Sequence, residues 1–240
     1  ILLNVLTKNN IFNEYTLNIF TDASLTKVND ECITCSGAVA ITAPDINSPE
    51  TQIIDSIYRI NRASTNNIGE IIGIELGIDL ALKWRGQFST INLFSDSKIS
   101  LFGLREWFTK WKYNPNTGLL YGSAGTPIAN QSHFLKIMYT IVQYGLVINL
   151  YHVPGHADFN KFIKVFRESN NVRSFIDRSL ITEMIKYNDF IDESTRSTLM
   201  NYVSSPTYRD DTILDNPLQY MYNPDFNMSD YKSLINFNEV

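Results

Sequence analysis

Asp22 closes the run Phe20-Thr21-Asp22-Ala23-Ser24, and Asp96 closes the matching run Phe94-Ser95-Asp96-Ser97. Acids at the mouths of two buried strands can hold a hard divalent cation, which prefers carboxylate oxygens. A third acid, Glu70, falls in the first turn of the helix that the pattern predicts between the third and fourth strands, so all three meet at one edge of the sheet. Two such ions roughly 4 Å apart activate a water and stabilise the leaving oxygen in phosphodiester hydrolysis. Taken singly, each acid has an ordinary explanation: a turn residue at Asp22, a helix N-cap at Asp96, a dipole-favoured acid at Glu70. Those explanations do not account for all three standing at the junctions where a metal would collect them. Glu75 and Asp79 lie further along the same helix, and at about 100° per residue Glu75 is turned well away from Glu70.

The elements that must position these acids follow from periodicity. Residues 15–21 alternate and are rich in β-formers, and 36–42 and 51–60 are further apolar runs, which together predict an antiparallel meander. Ile68, Ile71, Ile72, Leu76, Leu80 and Trp84 recur at helical spacing over 67–84. Residues 91–95 read as a short buried strand, 98–111 as a helix, 130–143 as another, and 147–152 as a fifth strand. Residues 172–203 read as largely helical, with a break at Asp192-Glu193-Ser194. This order predicts an α/β fold, a mixed five-stranded sheet of three antiparallel strands and then parallel ones, flanked by helices.

Composition narrows the remainder. A chain of 240 residues, 44% hydrophobic, fits one domain with an appendage or two small ones, and no apolar stretch nears the roughly 20 residues of a membrane span. The start, Ile1-Leu2-Leu3-Asn4-Val5-Leu6, lacks a basic leader and a small-residue cleavage site, so no secretory signal is expected. The net charge is −5, and residues 204–240 hold six acids (Asp210, Asp211, Asp215, Asp225, Asp230, Glu239) against Arg209 and Lys232. The nearly neutral body can still present a basic face to a polyanion. Cys32 and Cys35 form one Cys-x-x-Cys without the second pair a structural zinc usually needs, and read as small residues in a turn. So few cysteines fit a reducing, intracellular compartment.

Several segments in order carry a resemblance. Ser64-Thr65-Asn66-Asn67-Ile68-Gly69-Glu70 resembles a Thr-Asn-Gln-x-Ala-Glu segment, and Phe94-Ser95-Asp96-Ser97 resembles Tyr-Thr-Asp-Ser. Trp107-Phe108-Thr109-Lys110-Trp111-Lys112 is similar to an aromatic and basic helix, and Ser123 to Asn130 to the segment leading to a backbone-contacting Asn. His152-Val153-Pro154-Gly155-His156 is similar to the string before a flexible catalytic loop. From about Tyr15 to Ile185 the chain resembles ribonuclease H of the type 1 class.

The resemblance implies a ribonuclease H-like fold and a site. Asp22 would bridge two Mg²⁺ ions, with Mn²⁺ as a substitute, while Glu70 and Asp96 complete one ion and a fourth acid the other. His156 would assist proton transfer or product departure. Thr65, Asn66, Asn67 and Asn130 would touch phosphate and the 2′-hydroxyl, the group that distinguishes RNA from DNA. Trp107 and Trp111 divide between core and surface. The fourth acid is where the chain departs from the family, because residues 157–176 separate His156 from Asp177, whose segment Phe175-Ile176-Asp177-Arg178-Ser179-Leu180 resembles the family's Ala-Asp-x-Leu-Ala. Asp177 is preferred as the fourth ligand, since a packed helix holds a ligand better than a loop, with Asp158 as its rival. The enlarged loop carries Lys161, Lys164, Arg167 and Arg173, either to grip a phosphate backbone or as a solvated face.

The expected activity is metal-dependent hydrolysis of the RNA strand of RNA/DNA hybrids, leaving 3′-hydroxyl and 5′-phosphate ends. The alternatives are a catalytically silent module of a replication or reverse-transcription assembly, and a DNA nuclease of the same fold. Residues 1–203 are expected to form the catalytic domain, and 204–240 an arm that packs on it or binds a protein partner.

Overall fold

The computed structural model describes residues 4–45, 47–48, 50–63, 65–205 and 220–236. In chain order the elements are β1 (Val5–Leu6), α1 (Lys8–Ile11), β2 (Thr16–Val28), β3 (Glu31–Thr42), β4 (Gln52–Arg62), α2 (Asn66–Trp84), β5 (Thr90–Ser95), α3 (Lys98–Arg105), β6 (Lys112–Asn114), β7 (Leu119–Tyr121), α4 (Gln131–Tyr144), β8 (Ile148–His152), α5 (Phe159–Ser169), β9 (Phe175–Ile176), α6 (Arg178–Val203), α7 (Met228–Leu234) and β10 (Ile235–Asn236). The main sheet runs β10-β8-β5-β2-β3-β4. Strands β2, β3 and β4 are antiparallel, and β5, β8 and β10 extend the sheet in parallel from β2. The five expected strands are present in the expected sense, and β10 adds a sixth from the tail.

Side-chain alternation splits the core in two. Leu17, Ile19, Ala38, Ala40 and Leu93 pack with α2 and α4, and Phe20, Val39, Phe94 and Tyr151 pack with α5 and α6. On the second face the parallel register makes successive rungs. Asn18, Asn92 and Asn149 are side by side and joined by amide hydrogen bonds of 3.0 and 2.8 Å. Two residues on, Phe20, Phe94 and Tyr151 stack with ring centroids 4.5 and 5.3 Å apart. Two residues further come Asp22 and Asp96, just past the Thr21–Ser95 pair. A period of two thus carries the register of the core directly to the acids.

Helix α2 lies against the sheet on a row of glycines. A Cβ on Gly69 would stand 3.0 Å from that of Ala23, and one on Gly77 would stand 2.8 Å from a Leu93 methyl. Their spacing puts them on one face, with Gly73 between them. On the opposite side, a Cβ on Gly37, which pairs with Asp22, would stand 2.8 Å from Thr195 of α6.

Three expectations need correction. The helix foreseen over 98–111 ends at Arg105, followed by a 3-10 turn (Trp107–Lys110) and the hairpin β6–β7. The aromatic residues there serve packing: Phe108 meets Tyr231 edge to face at 5.0 Å, and Trp111 meets Phe134 at 5.1 Å, while Trp107 stays exposed. Cys32 and Cys35 lie within β3 and not in a turn before it, because the β2–β3 hairpin extends several residues beyond the apolar run. The break foreseen at Asp192-Glu193-Ser194 does not occur. The hydroxyls of Ser194 and Thr195 fold back onto the carbonyls of Phe190 and Asp192, and Ile191 and Leu199 continue the buried face. Of the tail, 206–219 and 237–240 lie outside the described residues, whereas residues of 220–236 pack on the domain. Tyr231 is fully buried and donates to the Leu104 carbonyl at 2.5 Å.

The segment expected as an enlarged loop contains α5, an amphipathic helix whose buried Phe166 stacks between Tyr151 and the buried Phe162. Among the described residues, no helix is long and apolar enough to cross a membrane.

Candidate metal centre

Ligand oxygens of Asp22, Glu70 and Asp96 lie within 4.8 Å of one another. The Ala23 amide donates to Asp22 Oδ1 at 2.8 Å, which fixes that carboxylate's rotation. Glu70 lies one turn inside α2, in the second turn and not the first, and Asn66 Nδ2 donates to its Oε1 at 3.0 Å. Its other oxygen, Oε2, is buried with no hydrogen-bond partner. Asp96 is crowded by Gly155, where a Cβ would stand 2.9 Å from Oδ2.

Burial, then the neighbouring Asp96, pushes the Asp22 carboxyl up to about 8. Burial and the charge of Asp192 push Asp96 up to about 6, and burial with Asp22 and Asp96 nearby holds Glu70 well above the ordinary range. Acids desolvated this closely together repel one another unless protons or cations neutralise them. The orphaned Glu70 oxygen and the all-carboxylate donor set fit a hard divalent cation in place of those protons.

The structure does not bring Asp177 to this cluster. It is the half-buried N-cap residue of α6 and accepts from the Ser179 hydroxyl at 2.6 Å. Asp158 is likewise an N-cap, accepting from the Lys161 amide at the start of α5. The acid that lines the cleft with Asp22, Glu70 and Asp96 is Asp192, from the middle of α6. Arg196, one turn on, holds its Oδ2 at 2.5 Å, and His156 Nε2 stands 3.8 Å away. The correction has a simple cause. Residues 157–176 make a helix and a short strand, and α6 then runs for several turns before one of its acids reaches the cleft.

A ribonuclease H family model matches residues 14–170. The chain belongs to the ribonuclease H family. No curated protein matches it. Among solved structures it is similar to a prototype foamy virus protease-reverse transcriptase, 18% identical over 77% of this chain and 21% of that one, with a TM-score of 0.50. It is also similar to LC9-RNase H1, described as a type 1 RNase H with the type 2 active-site motif, 15% identical over 64% and 73% of the two chains, TM-score 0.47. The chain therefore spans about a fifth of the foamy virus protein. The family match ends at Asn170, so the helix that carries Asp192, with Asp177 at its cap, lies beyond it.

Around this ribonuclease H cleft, of about 430 Å³, Asn66 and Asn67 lie exposed at the mouth beside Lys98 and Ile99. Thr65 is the exposed N-cap residue of α2. Asn130 is not among the cleft residues. It precedes α4 in the left-handed conformation (φ 58°), which Asn tolerates better than most residues. His156 also has positive φ (47°), and its side chain is 75% exposed over the cleft. Sequence reasoning misses Asp192 because Asp192-Glu193-Ser194 has the composition of a helix break. The signal that marks it is the recurrence of Ile191, Thr195 and Leu199 at helical spacing, a buried stripe that carries the helix straight through the acid.

Proposed function

We propose that the chain is an endonuclease that hydrolyses the RNA strand of RNA/DNA hybrids with two divalent cations, Mg²⁺ or in its place Mn²⁺. The observation that carries this reading is the convergence of Asp22, Glu70 and Asp96 with Asp192 in one cleft of a ribonuclease H domain. These four acids would hold the ions. When bound, the ions supply Lewis-acid activation of water and neutralise charge at the leaving oxygen.

The chain's own residues do the rest. The Ala23 amide and Asn66 set the carboxylates of Asp22 and Glu70 before substrate arrives, so little reorganisation is left for the reaction. Asn66 and Asn67, with Thr65 beside them, offer donors and acceptors to a sugar edge at the mouth, and Lys98 offers charge to a phosphate. Exposed His156, close to Asp192, would pass a proton to the departing 3′ oxygen, leaving a 5′-phosphate on the other fragment. Asn130 is a more remote contact to the backbone.

The test is cleavage of labelled RNA/DNA hybrid, duplex DNA and duplex RNA in Mg²⁺ by the parent and by Asp22→Asn. Cutting restricted to the hybrid's RNA strand, and lost in Asp22→Asn, supports the reading. Cutting of duplex DNA, or no cutting of any substrate, overturns it in favour of a DNA nuclease or a silent binding module.

A further inference from the structure

His152 ends β8 beside Ser95, the residue before Asp96. Its ring is buried, packs obliquely on Phe102 at 5.4 Å and lies beside the strand end that leads from Ser95 into Asp96. On its other side Nδ1 meets the hydroxyl of Ser169 at 2.9 Å. Ser169 is the last residue of α5.

The contact belongs to a larger junction. The side-chain amide of Asn170, buried, accepts from the His152 backbone N–H at 2.9 Å and donates to its carbonyl at 2.7 Å, in the manner of an added strand. Arg105 at the end of α3, also buried, donates to Asn170 Oδ1 (2.8 Å), the Ser169 carbonyl (2.6 Å) and the Leu150 carbonyl (3.2 Å). Such a set of joined buried polar groups fixes one arrangement of the elements it connects. The end of α5 is thus locked to β8, and the His152 ring is the part of the lock beside the strand end that leads into Asp96.

We propose that His152 is a positioning residue, which ties α5 through Ser169 to the strand end that leads into Asp96 and so holds the Asp96 carboxylate in the metal-binding cluster. Helix α5 is then a support for the site as well as a surface element. This inference rests on the metal-centre reading given above. Groups that orient ligands in this way change metal affinity or activity by about 10- to 100-fold when removed.

The experiment measures Mn²⁺ affinity by the paramagnetic resonance of free Mn²⁺, steady-state kinetics on the labelled hybrid, and thermal unfolding, for the parent, His152→Ala, His152→Gln and Ser169→Ala. The expected result is Mn²⁺ binding about 10-fold weaker and kcat about 10-fold lower in His152→Ala, with KM within about twofold of the parent. His152→Gln, whose amide keeps a polar group at this junction, recovers most of both, and Ser169→Ala shows a smaller loss of the same kind. Ser169→Ala removes one hydroxyl and keeps the test open should His152→Ala fail to fold. Mn²⁺ affinity and kcat at the parental values in the folded variants, with only the melting temperature lowered, overturn the inference. A parent that binds Mn²⁺ and cuts no hybrid overturns the proposed activity instead, and the Mn²⁺ affinities alone then decide the role of His152.

Discussion

Gly73 faces Asp22 so closely that a Cβ placed on it would stand 2.9 Å from the Asp22 backbone oxygen. Backbone oxygen cannot yield as a flexible side chain can, so Gly73→Ala must lift α2 from β2 and draw Glu70 away from Asp22. Overpacking of this kind costs about 1–3 kcal/mol. The expected outcome is a lower denaturation midpoint together with weaker Mn²⁺ binding. Unchanged Mn²⁺ affinity would show that α2 adjusts without moving Glu70.

The fourth acid can be assigned by comparing two Asn variants on the same helix. Asp192→Asn is expected to lower kcat by about 100-fold or more, the scale of removing one preorganised electrostatic group from a reaction centre. Asp177→Asn leaves the acids that line the cleft untouched and is expected to leave kcat within about twofold of the parent. Hybrid cleavage at saturating Mg²⁺ reads both, and a reversed order would return the role to Asp177.

In chelator, stability depends on pH through the acid cluster. The folded-state pKa values of Asp22, about 8, and Asp96, about 6, stand above the ordinary carboxylate range, as does that of Glu70. The folded state therefore binds more protons than the unfolded one. The stability this provides is present below about pH 4 and is lost as pH rises through about 6 to 8. Burial pushes His152 down to about 4, so its contribution runs the other way and is lost as pH falls from 6.5 toward 4. Between about pH 6.5 and 8.5 the acids dominate, and the melting temperature in chelator is expected to fall as pH rises. Added Mg²⁺ should raise it most at the alkaline end, and Asp22→Asn should flatten the slope in chelator. A melting temperature in chelator that rises over this interval would contradict the cluster's protonation.

Tyr231 anchors the tail. Tyr231→Ala removes a fully buried ring that packs on Phe108 and bonds Leu104, and is expected to cost about 3–5 kcal/mol. Tyr231→Phe loses only the hydrogen bond to Leu104 and should cost about 1 kcal/mol. Urea unfolding measures both, and equal stabilities for the parent and Tyr231→Ala would detach the tail from the domain's stability.

What was legible in the sequence is what short-range periodicity encodes. The strands carrying Asp22 and Asp96, the helix carrying Glu70 and their meeting at one sheet edge follow from apolar runs and their order. That Asp192 reaches the cleft was not read because Asp192-Glu193-Ser194 has the composition of a break, and the buried stripe that carries α6 through it does not by itself say which acid of a long helix meets the other strands' acids. Trp107 to Lys110 reads as helical because Phe108 and Trp111 sit at helical spacing from Leu101 and Leu104. Their partners, Tyr231 and Phe134, are remote in the chain. The sixth strand is two residues long, too short for any alternation to show.

That short strand covers the start of β8 at one edge of the sheet, whose other edge is β4. Until Ile235 and Asn236 pair with Ile148 and Asn149, β8 is the outermost parallel strand, and its open backbone groups can template another chain. A ribosome delivers this cover long after the strand it protects. Damage to the tail should accordingly announce itself first as aggregation of newly made chains, before any change in the chemistry of the cleft.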